Sequence, residues 1–310
     1  MRERKIKEPQ ILIKEGLEGE KICNSLNELK LNQILNENDT VTIIPNWVNT
    51  NPVESGTVVG PESLREIIKY IKSCNVESLV VASGSGGAQT PEVMKQTGYQ
   101  QVIAEEGVQF IDLNFGPYDK FEIDFPAFKK LELNKLIKES DFIISYTQIK
   151  HHEEATVSLG IKNVALSTPP GEIHGFPKAD NGIHEHLHDF ITEMGKLVPI
   201  DLSILSGDKA MVGTGPSKGK AVDTNLVVVG TDPISTDVVG ARLLGFRPQA
   251  VQYLHNLIRA EIGEGDLQKV NLKGLALKEA EQKFSKAAYG EEIVLDKKKI
   301  LPLHLECQNC

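Results

Sequence analysis

Short apolar runs alternate with amphipathic segments along most of this chain, and this alternation is the feature that most constrains its fold. The run TVTIIPNWV (residues 40–48) is typical of a buried strand. Residues 61–74 are typical of a helix, because a proline opens them and apolar residues recur on one helical face. Further strands are expected at residues 78–82, 108–113, 141–149 and 226–229. Strands separated by helices of this length predict an α/β fold with a mainly parallel, doubly wound sheet and helices on both faces.

The chain divides into a long core and a short extension. Residues 1–266 carry the alternating pattern and are expected to form the α/β core. Within them, residues 166–182 (LSTPPGEIHGFPKADNG) lack periodicity, and a loop of this length is typical of a lid or a binding loop. Residues 267–310 are expected to form a helical extension, with a helix at 277–288 and a CxxC sequence at the end.

Composition excludes several classes of protein. The 310 residues contain 34 Lys and Arg against 43 Asp and Glu, so the basic surface that binds nucleic acid is not expected. No run approaches the ~18 apolar residues of a membrane span. The first residues, MRERKIKEPQILIKEG, lack the apolar region of a signal peptide. Four cysteines do not form a disulfide scaffold, and a cytoplasmic location is therefore expected.

Basic and amide side chains gather near one predicted strand end. Lys150 and His151 end the strand DFIISYTQIK, and Lys162-Asn163 lie within the apolar run VSLGIKNVAL. A lysine is costly to bury unless it is paired, so this clustering predicts a site for an anion or a carboxylate. The alternative is an edge strand whose Lys162 extends to water.

Histidine and cysteine suggest a metal site. Six of the eight histidines lie between residues 151 and 188. His184 and His188 are four apart in a helix expected at residues 183–198, so both imidazoles can reach one ion, although a solvated helix start gives the same pattern. Cys307 and Cys310 form a CxxC pair, which is half of a zinc or iron–sulfur ligand set, while redox disulfide chemistry is the alternative.

Two glycine-rich turns offer backbone N–H groups to an anion. Gly213 and Gly215 follow the apolar run IDLSILSGDKAMV, and residues 84–87 (GSGG) stand between a predicted strand and a helix, the context in which phosphate binds. The second turn departs from the dinucleotide pattern because Gln89 replaces its last glycine. Both turns are equally compatible with ordinary chain reversals.

Two aspartates follow the strand expected at residues 226–229. Asp232 precedes Pro233 and is suited to cap the next helix. Capping does not account for Asp237, which lies in the first turns of that helix. We therefore expect Asp237 to face the crevice and to hold Lys150 or Lys162.

The order of these motifs resembles the family catalogued as domain of unknown function 362. The resemblance covers residues 40–266 and rests on IIPNWV, SLVVASGSGG, DFIISYTQIKHH, TVSLGIKN, MVGTGP, GTDPISTDVVGARLLG and IGEGD. The family has Lys-Pro-Asn at the first motif, where this chain has Ile44-Pro45-Asn46. It has Lys-Thr-His at the third, where His151 takes the place of the threonine and His152 matches the histidine. The matching positions are Asn46, Lys150, His152, Lys162, Asn163, Gly213, Gly215, Asp232 and Asp237.

The resemblance implies a site more clearly than a reaction. The family has no established activity, as its name says. Some members carry ferredoxin-like cysteine clusters, which implies a link to iron–sulfur or redox metabolism. This chain has only Cys307 and Cys310 in such a spacing, so it is similar to the core of the family without the cluster.

These observations predict a protein that binds, and transforms, a small anionic metabolite at the carboxyl ends of the strands. Lys150 and Lys162 would hold the anion, Asn46 and Asn163 would orient it, and His152 would be the general acid and base. Asp232 and Asp237 would fix the lysines or a divalent metal ion. The alternative is a metal or iron–sulfur carrier that uses the histidines and the CxxC pair, with a second copy or a redox protein as partner. A third hypothesis is nucleotide binding at residues 84–87.

Overall fold

The structure is a computed structural model that describes residues 1–290, and its centre is a ten-stranded sheet. In chain order the strands are β1 (Gln10–Glu15), β2 (Thr40–Pro45), β3 (Ser78–Ser83), β4 (Gln109–Asp112), β5 (Tyr118–Glu122), β6 (Lys130–Asn134), β7 (Phe142–His152), β8 (Thr156–Ser158), β9 (Leu202–Val212), β10 (Lys220–Val222), β11 (Leu226–Gly230) and β12 (Asn271–Gly274). The helices are α1 (Glu18–Glu28), α2 (Leu31–Ile34), α3 (Pro61–Ser73), α4 (Thr90–Gln96), α5 (Tyr99–Glu106), α6 (Leu136–Glu139), α7 (Gly160–Ser167), α8 (Gly171–His174), α9 (Leu187–Leu197), α10 (Pro233–Leu243), α11 (Gln252–Arg259) and α12 (Leu277–Tyr289).

The sheet is mainly parallel. In the part of the chain that the structure describes, the strand order is β12-β1-β11-β9-β7-β2-β3-β4, with β8 paired to β7 and β10 paired to β9. Along this path only β11 runs antiparallel, to both β1 and β9. Strands β5 and β6 form a separate antiparallel hairpin. The predicted fold class, a mainly parallel α/β sheet, is confirmed.

Helices cover both faces of this sheet, because successive strand residues point to opposite sides. In β11, Val227 and Val229 enter the core that includes residues of α1, α3 and α5. Val228, between them, enters the core that includes residues of α7, α9 and α10. Burial on both faces accounts for the nearly continuous apolar strands of the sequence. Among residues 1–290, no helix has both the length and the apolar character needed to cross a bilayer.

The stretch that contains Lys162 is a short strand followed by a helix. Strand β8 folds back on the end of β7, and α7 begins two residues after β8 ends. The edge-strand alternative for Lys162 is wrong, because this residue lies on α7 and only 8% of its surface is exposed.

The helix after the long loop starts later than the sequence predicts. It begins at Leu187, four residues beyond the expected start at Ile183. The reason is the backbone of His186, whose φ of −123° and ψ of 43° lie outside the helical region directly before Leu187. His184 therefore precedes the helix and does not share a helical face with His188.

The extension after residue 266 is not wholly helical where the structure describes it. Helix α12 forms as predicted, but residues 271–274 add strand β12 to the edge of the main sheet, parallel to β1. Sequence patterns did not indicate this strand, because it is four residues long and none of its residues is buried.

The order of the strands creates one crevice in the sheet. From β2 the chain moves outward to β3 and β4, and it then returns to place β7 on the other side of β2. In doubly wound sheets, ligands bind beyond the carboxyl ends of the strands at such a reversal. The carboxyl ends of β2 and β7 are therefore where a site is expected.

Candidate functional site

A cavity of about 250 Å³ lies at the carboxyl ends of β2, β3 and β7. Asn46 follows β2 directly, Gly84 follows β3, and Lys150 and His152 end β7. The cavity is lined by Asn46, Trp47, Val48, Asn49, Gly84, Gly86, Gly87, Lys150, His152, Ser158, Lys162, Asn163, Leu166, Ser167, Pro177, Lys178, His184, Pro216 and Ser217.

The charge of this lining is of one sign. Three lysines line the cavity, namely Lys150, Lys162 and Lys178, and each exposes 8% of its surface or less. None of the described residues that line it is an aspartate or a glutamate. Buried ammonium groups without carboxylate partners are costly, and an anion in the cavity removes much of that cost.

Lys150 is held by two acceptors. Its Nζ donates to Asn46 Oδ1 at 2.8 Å and to the carbonyl oxygen of Thr57 at 2.9 Å. Burial, and then the neighbouring charge of Lys162, lower the pKa of Lys150 to about 7. An ammonium group has three N–H donors, so one remains for a ligand.

Two amides connect the strand ends to α7. Asn46 Nδ2 donates to Asn163 Oδ1 at 3.2 Å, and Asn163 Nδ2 donates to the carbonyl oxygen of Ile44 at 2.9 Å and to Ser145 Oγ at 3.1 Å. These bonds fix both side chains in the cavity wall. The structure therefore brings the predicted pair Asn46 and Asn163 together, with Asn163 also supporting Asn46.

Lys162 differs from Lys150 in having no partner. Its Nζ makes no hydrogen bond or ion pair with any residue in the range 1–290. Burial lowers its pKa to about 8, and the more distant charge of Glu154 opposes this shift. Lys162 is therefore the lysine of the lining whose side-chain nitrogen has no acceptor among the described residues.

His152 is a neutral hydrogen-bond donor. Its Nδ1 accepts the backbone N–H groups of Glu154 and Ala155, both at 3.1 Å, so the hydrogen of the neutral ring lies on Nε2. Burial, with the charges of Lys162 and Lys150, lowers its pKa to about 2. At neutral pH the ring has no free basic nitrogen. This geometry favours donation from Nε2–H over the general acid and base role expected from the sequence.

Sequence reasoning missed Lys178, which lies in the long loop. Its Nζ donates to the carbonyl oxygens of Gly84 at 2.8 Å, Leu166 at 3.0 Å and Ser167 at 3.3 Å. Burial lowers its pKa to about 7. One signal was available, since Lys178 is the only lysine in residues 166–182, a segment expected to cover an anion site.

The loop that carries Lys178 covers the cavity. Residues 166 and 167 belong to α7, and the irregular part begins at Thr168. Pro177 and Lys178 form part of the lining, while Tyr118 of β5 donates to Glu172 of α8 and so ties the loop to the hairpin. Closure of this loop over a ligand stays a prediction.

Comparison with known families places these residues in context. The family model described as Domain of unknown function (DUF362) matches residues 41–242. The chain belongs to this family. Every residue that lines the cavity lies inside the matched region of DUF362.

Two individual proteins are similar to this DUF362 member. "Thylakoid-associated protein sll1697" of Synechocystis sp. (strain ATCC 27184 / PCC 6803 / Kazusa) is 23% identical over 214 residues, which cover 69% of this chain and 65% of that protein. The chain thus spans less than two thirds of its curated relative. The lactate racemase apoprotein from Thermoanaerobacterium thermosaccharolyticum has 19% sequence identity, with 73% of this chain and 55% of that chain covered and a TM-score of 0.40.

Asp232 and Asp237 do not reach the cavity of this DUF362 member. Strand β11 runs antiparallel to β9, so its carboxyl end lies at the amino ends of the parallel strands, away from the cavity. Asp232 follows β11 there, where it caps α10 and pairs with Arg4 at 2.8 Å. Asp237 lies behind α7 and accepts the N–H groups of Gly160 at 2.9 Å and Ile161 at 3.2 Å. The expectation that these carboxylates hold Lys150 or Lys162 is wrong.

Several backbone N–H groups of the two glycine-rich turns donate to acceptors within the protein. Gly213 N–H donates to His151 Nδ1 at 2.9 Å, and Gly215 N–H donates to the Gly213 carbonyl oxygen at 2.9 Å. A Cβ on Gly215 would lie 1.9 Å from the His151 carbonyl oxygen, so close packing explains this glycine. In the 84–87 turn, the N–H group of Ser85 donates to Thr90 Oγ1, and the N–H group of Gly87 donates to the Val48 carbonyl oxygen. Four of the amides expected to bind an anion or a nucleotide thus already have acceptors.

The predicted histidine pair does not form a metal site. His184 Nδ1 lies 3.0 Å from Glu154 Oε2, whereas His188 Nδ1 accepts the backbone N–H of Tyr253 at 3.3 Å. Residues 1–290 contain no group of three or more histidine, cysteine or carboxylate side chains placed to hold a metal ion. The described residues therefore do not fit a metal or an iron–sulfur cluster. Cys307 and Cys310 lie outside the described residues.

Replacing Lys178 with methionine is expected to loosen the loop of this DUF362 member. The substitution leaves three carbonyl oxygens without their shared ammonium donor, and each lost charged hydrogen bond is worth about 1.5–3 kcal/mol. Hydrogen–deuterium exchange across residues 171–186 should accelerate by about 10-fold or more. The control is Lys120→Met on exposed β5, and equal exchange in both variants would show that Lys178 does not fasten the loop.

Proposed function

We propose that this protein binds a small anionic metabolite in the cavity at the ends of β2, β3 and β7 and moves a proton on it with a buried lysine. The observation that carries the proposal is the convergence of Lys150, Lys162 and Lys178 on one small cavity whose described lining contains no carboxylate. A cavity of about 250 Å³ suits a metabolite rather than a macromolecule.

The electrostatics support an anion over a cation. Burial lowers the pKa values of all three lysines, and His152 is neutral beside them. A divalent cation would be repelled by the ammonium groups and would find no carboxylate ligand among the described lining residues. A carboxylate or phosphate instead accepts the free N–H of Lys150 and the Nε2–H of His152.

The lysines also supply the proton-transfer group. A general acid or base works best when its pKa lies near the working pH, and the pKa values of about 7 for Lys150 and about 8 for Lys162 meet this condition. Lys150 has fixed hydrogen-bond partners, so Lys162 is free to approach the reacting atom. The long loop and the buried walls reduce the access of water to that atom.

Calorimetry tests this proposal through its pH dependence. In the free protein the lysine pKa values are lowered, and a bound anion raises them, so binding should take up protons between about pH 7 and about pH 8. Affinity should fall as pH rises through this window, because the amines lose their charge. Phosphate, pyruvate and malonate are titrated in buffers of different ionisation enthalpy, which reports the proton uptake directly.

The exposed Lys218, next to two residues of the cavity lining, provides the control. Lys218→Met should leave both the affinity and the proton uptake unchanged. An affinity that does not change with pH, together with a binding enthalpy that is the same in all the buffers, would contradict an anion site built from these lysines. Failure of every anion in the panel to bind would contradict it as well.

A further inference from the structure

The three buried lysines of the cavity are not equivalent. Lys178 uses all three N–H donors on backbone carbonyls, and Lys150 uses two of its three on Asn46 and Thr57. Lys162 uses none on any residue in the range 1–290. The side-chain nitrogens of Lys150 and Lys178 are thus held by acceptors, and that of Lys162 has none among the described residues.

We propose that Lys162 is a nucleophile that captures the carbonyl carbon of a small 2-oxo acid as an imine, which rests on the proposed function and specifies its substrate class. The carboxylate of such an acid is the anion that Lys150 and His152 bind. Its carbonyl group, one bond away from that carboxylate, is the electrophile that a free amine attacks.

The surroundings of Lys162 favour this chemistry. An amine becomes nucleophilic when it is desolvated or lies beside another cation, and Lys162 meets both conditions because it is buried and shares the cavity with Lys150. Helix α7 holds it rigidly, since Asp237 caps the first turn and Asn163 is bonded to two other elements. The backbone of Lys162 is therefore fixed, while its amine has no acceptor among the described residues.

The reaction balances without an oxidant or a reductant. The lone pair of the neutral Lys162 Nζ forms a bond to the carbonyl carbon, and the C=O π pair moves to oxygen, which gains a proton. The nitrogen loses a proton, and the resulting carbinolamine expels its hydroxyl group, after protonation, as water. The product is a C=N bond between Lys162 and the substrate, and one water molecule is released.

Reductive trapping tests the proposal. The full chain is incubated with pyruvate or 2-oxoglutarate and cyanoborohydride, and the adduct is located by peptide mass spectrometry. We expect one adduct for each chain, on Lys162, formed at least about 10-fold faster than on any exposed lysine. Lactate, which has the carboxylate of pyruvate but no carbonyl group, should compete and leave no adduct.

Two variants separate the imine from simple anion binding. Lys162→Arg keeps the positive charge and should abolish the adduct, while Lys218→Arg should retain it. Lys162→Met serves as a second variant in case arginine does not fit, and the melting temperature shows whether each is folded. Calorimetric binding of pyruvate without any adduct, or an adduct on Lys150, would overturn the imine proposal while leaving the anion site intact. Absence of both adduct and binding would overturn the proposed function itself.

Discussion

A Lys162→Met variant is expected to be more stable than the natural chain and yet to lose most of its affinity for small anions. In the folded protein Lys162 is 8% exposed, and its ammonium group faces the cavity without an acceptor among the described residues, so burial of the side chain disfavours the charged form. Methionine has a similar length and no charge, so it removes that cost. It also removes a cation that lines the proposed anion site.

The size of the stabilisation follows from the pKa. A lysine whose pKa falls from 10.5 to about 8 on folding destabilises the folded state by about 3 kcal/mol at most, below pH 8. This destabilisation is relieved as pH rises from about 8 to about 10.5, where the unfolded state begins to lose its proton as well. We expect Lys162→Met to raise the free energy of unfolding by about 1–3 kcal/mol at neutral pH and to flatten the pH dependence above pH 8.

The loss of binding should be equally large. One charge-assisted hydrogen bond is worth about 1.5–3 kcal/mol, so affinity for phosphate or pyruvate should fall about 10- to 100-fold. Urea denaturation and calorimetry measure the two effects, with Lys218→Met as the control for both. A destabilised Lys162→Met protein would show that Lys162 has an acceptor in solution, and unchanged affinity would show that it does not contact the anion.

Among the residues that hold α7 in place, Asp237 is expected to give the largest loss of stability when it is replaced with alanine. The carboxylate is fully buried and accepts the N–H groups of Gly160 and Ile161, the first two residues of α7. Alanine leaves both donors buried without an acceptor, at about 1–3 kcal/mol each. We expect the free energy of unfolding to fall by about 2–4 kcal/mol and anion binding to weaken, because α7 carries Lys162 and Asn163.

Asparagine at position 237 distinguishes the hydrogen bonds from the charge. Burial raises the pKa of Asp237 to about 7, so its contribution to stability is full below about pH 4 and is lost as pH rises through about 7. Asp237→Asn keeps one acceptor oxygen but turns its NH2 group toward the other backbone N–H. Its free energy of unfolding near pH 7 should therefore fall by about 1–3 kcal/mol, less than that of the alanine variant, and should lack this pH dependence. The exposed Asp208→Ala is the control. An alanine variant as stable as the asparagine variant would show that the two amide groups find another acceptor.

Strand patterns and one topological rule predicted much of the site. The apolar runs at residues 40–48 and 141–149 gave β2 and β7, and residues directly after parallel strands share one edge of the sheet. Asn46 and Lys150 meet there, although 104 positions separate them. Lys162 was included in the predicted site because a lysine in an apolar run is costly to bury without a partner. In the structure it lines the same cavity as Asn46 and Lys150.

The errors arose where the sequence pattern does not determine the direction, the start or the position of a single element. Asp232 and Asp237 follow β11, whose apolar sequence LVVVG is similar to those of the parallel strands. Nothing in this sequence indicates that β11 runs antiparallel to its neighbours. His184 was misplaced because the non-helical backbone of His186 delays a helix whose composition favours an earlier start. Lys178 lay in a segment without periodicity, where the position of a side chain depends on tertiary contacts alone.

The position of β1 affects how this protein is made. Strand β1 (Gln10–Glu15) lies between β11 (Leu226–Gly230) and β12 (Asn271–Gly274), which the ribosome synthesises more than 200 residues later. At roughly 5–20 residues per second, the apolar strand QILIKE waits about 10–40 s for its neighbours. The strands around the cavity emerge earlier and can pair first. A growing chain therefore carries this apolar segment unmatched until β11 has been synthesised, and this segment is where a nascent-chain chaperone would be needed.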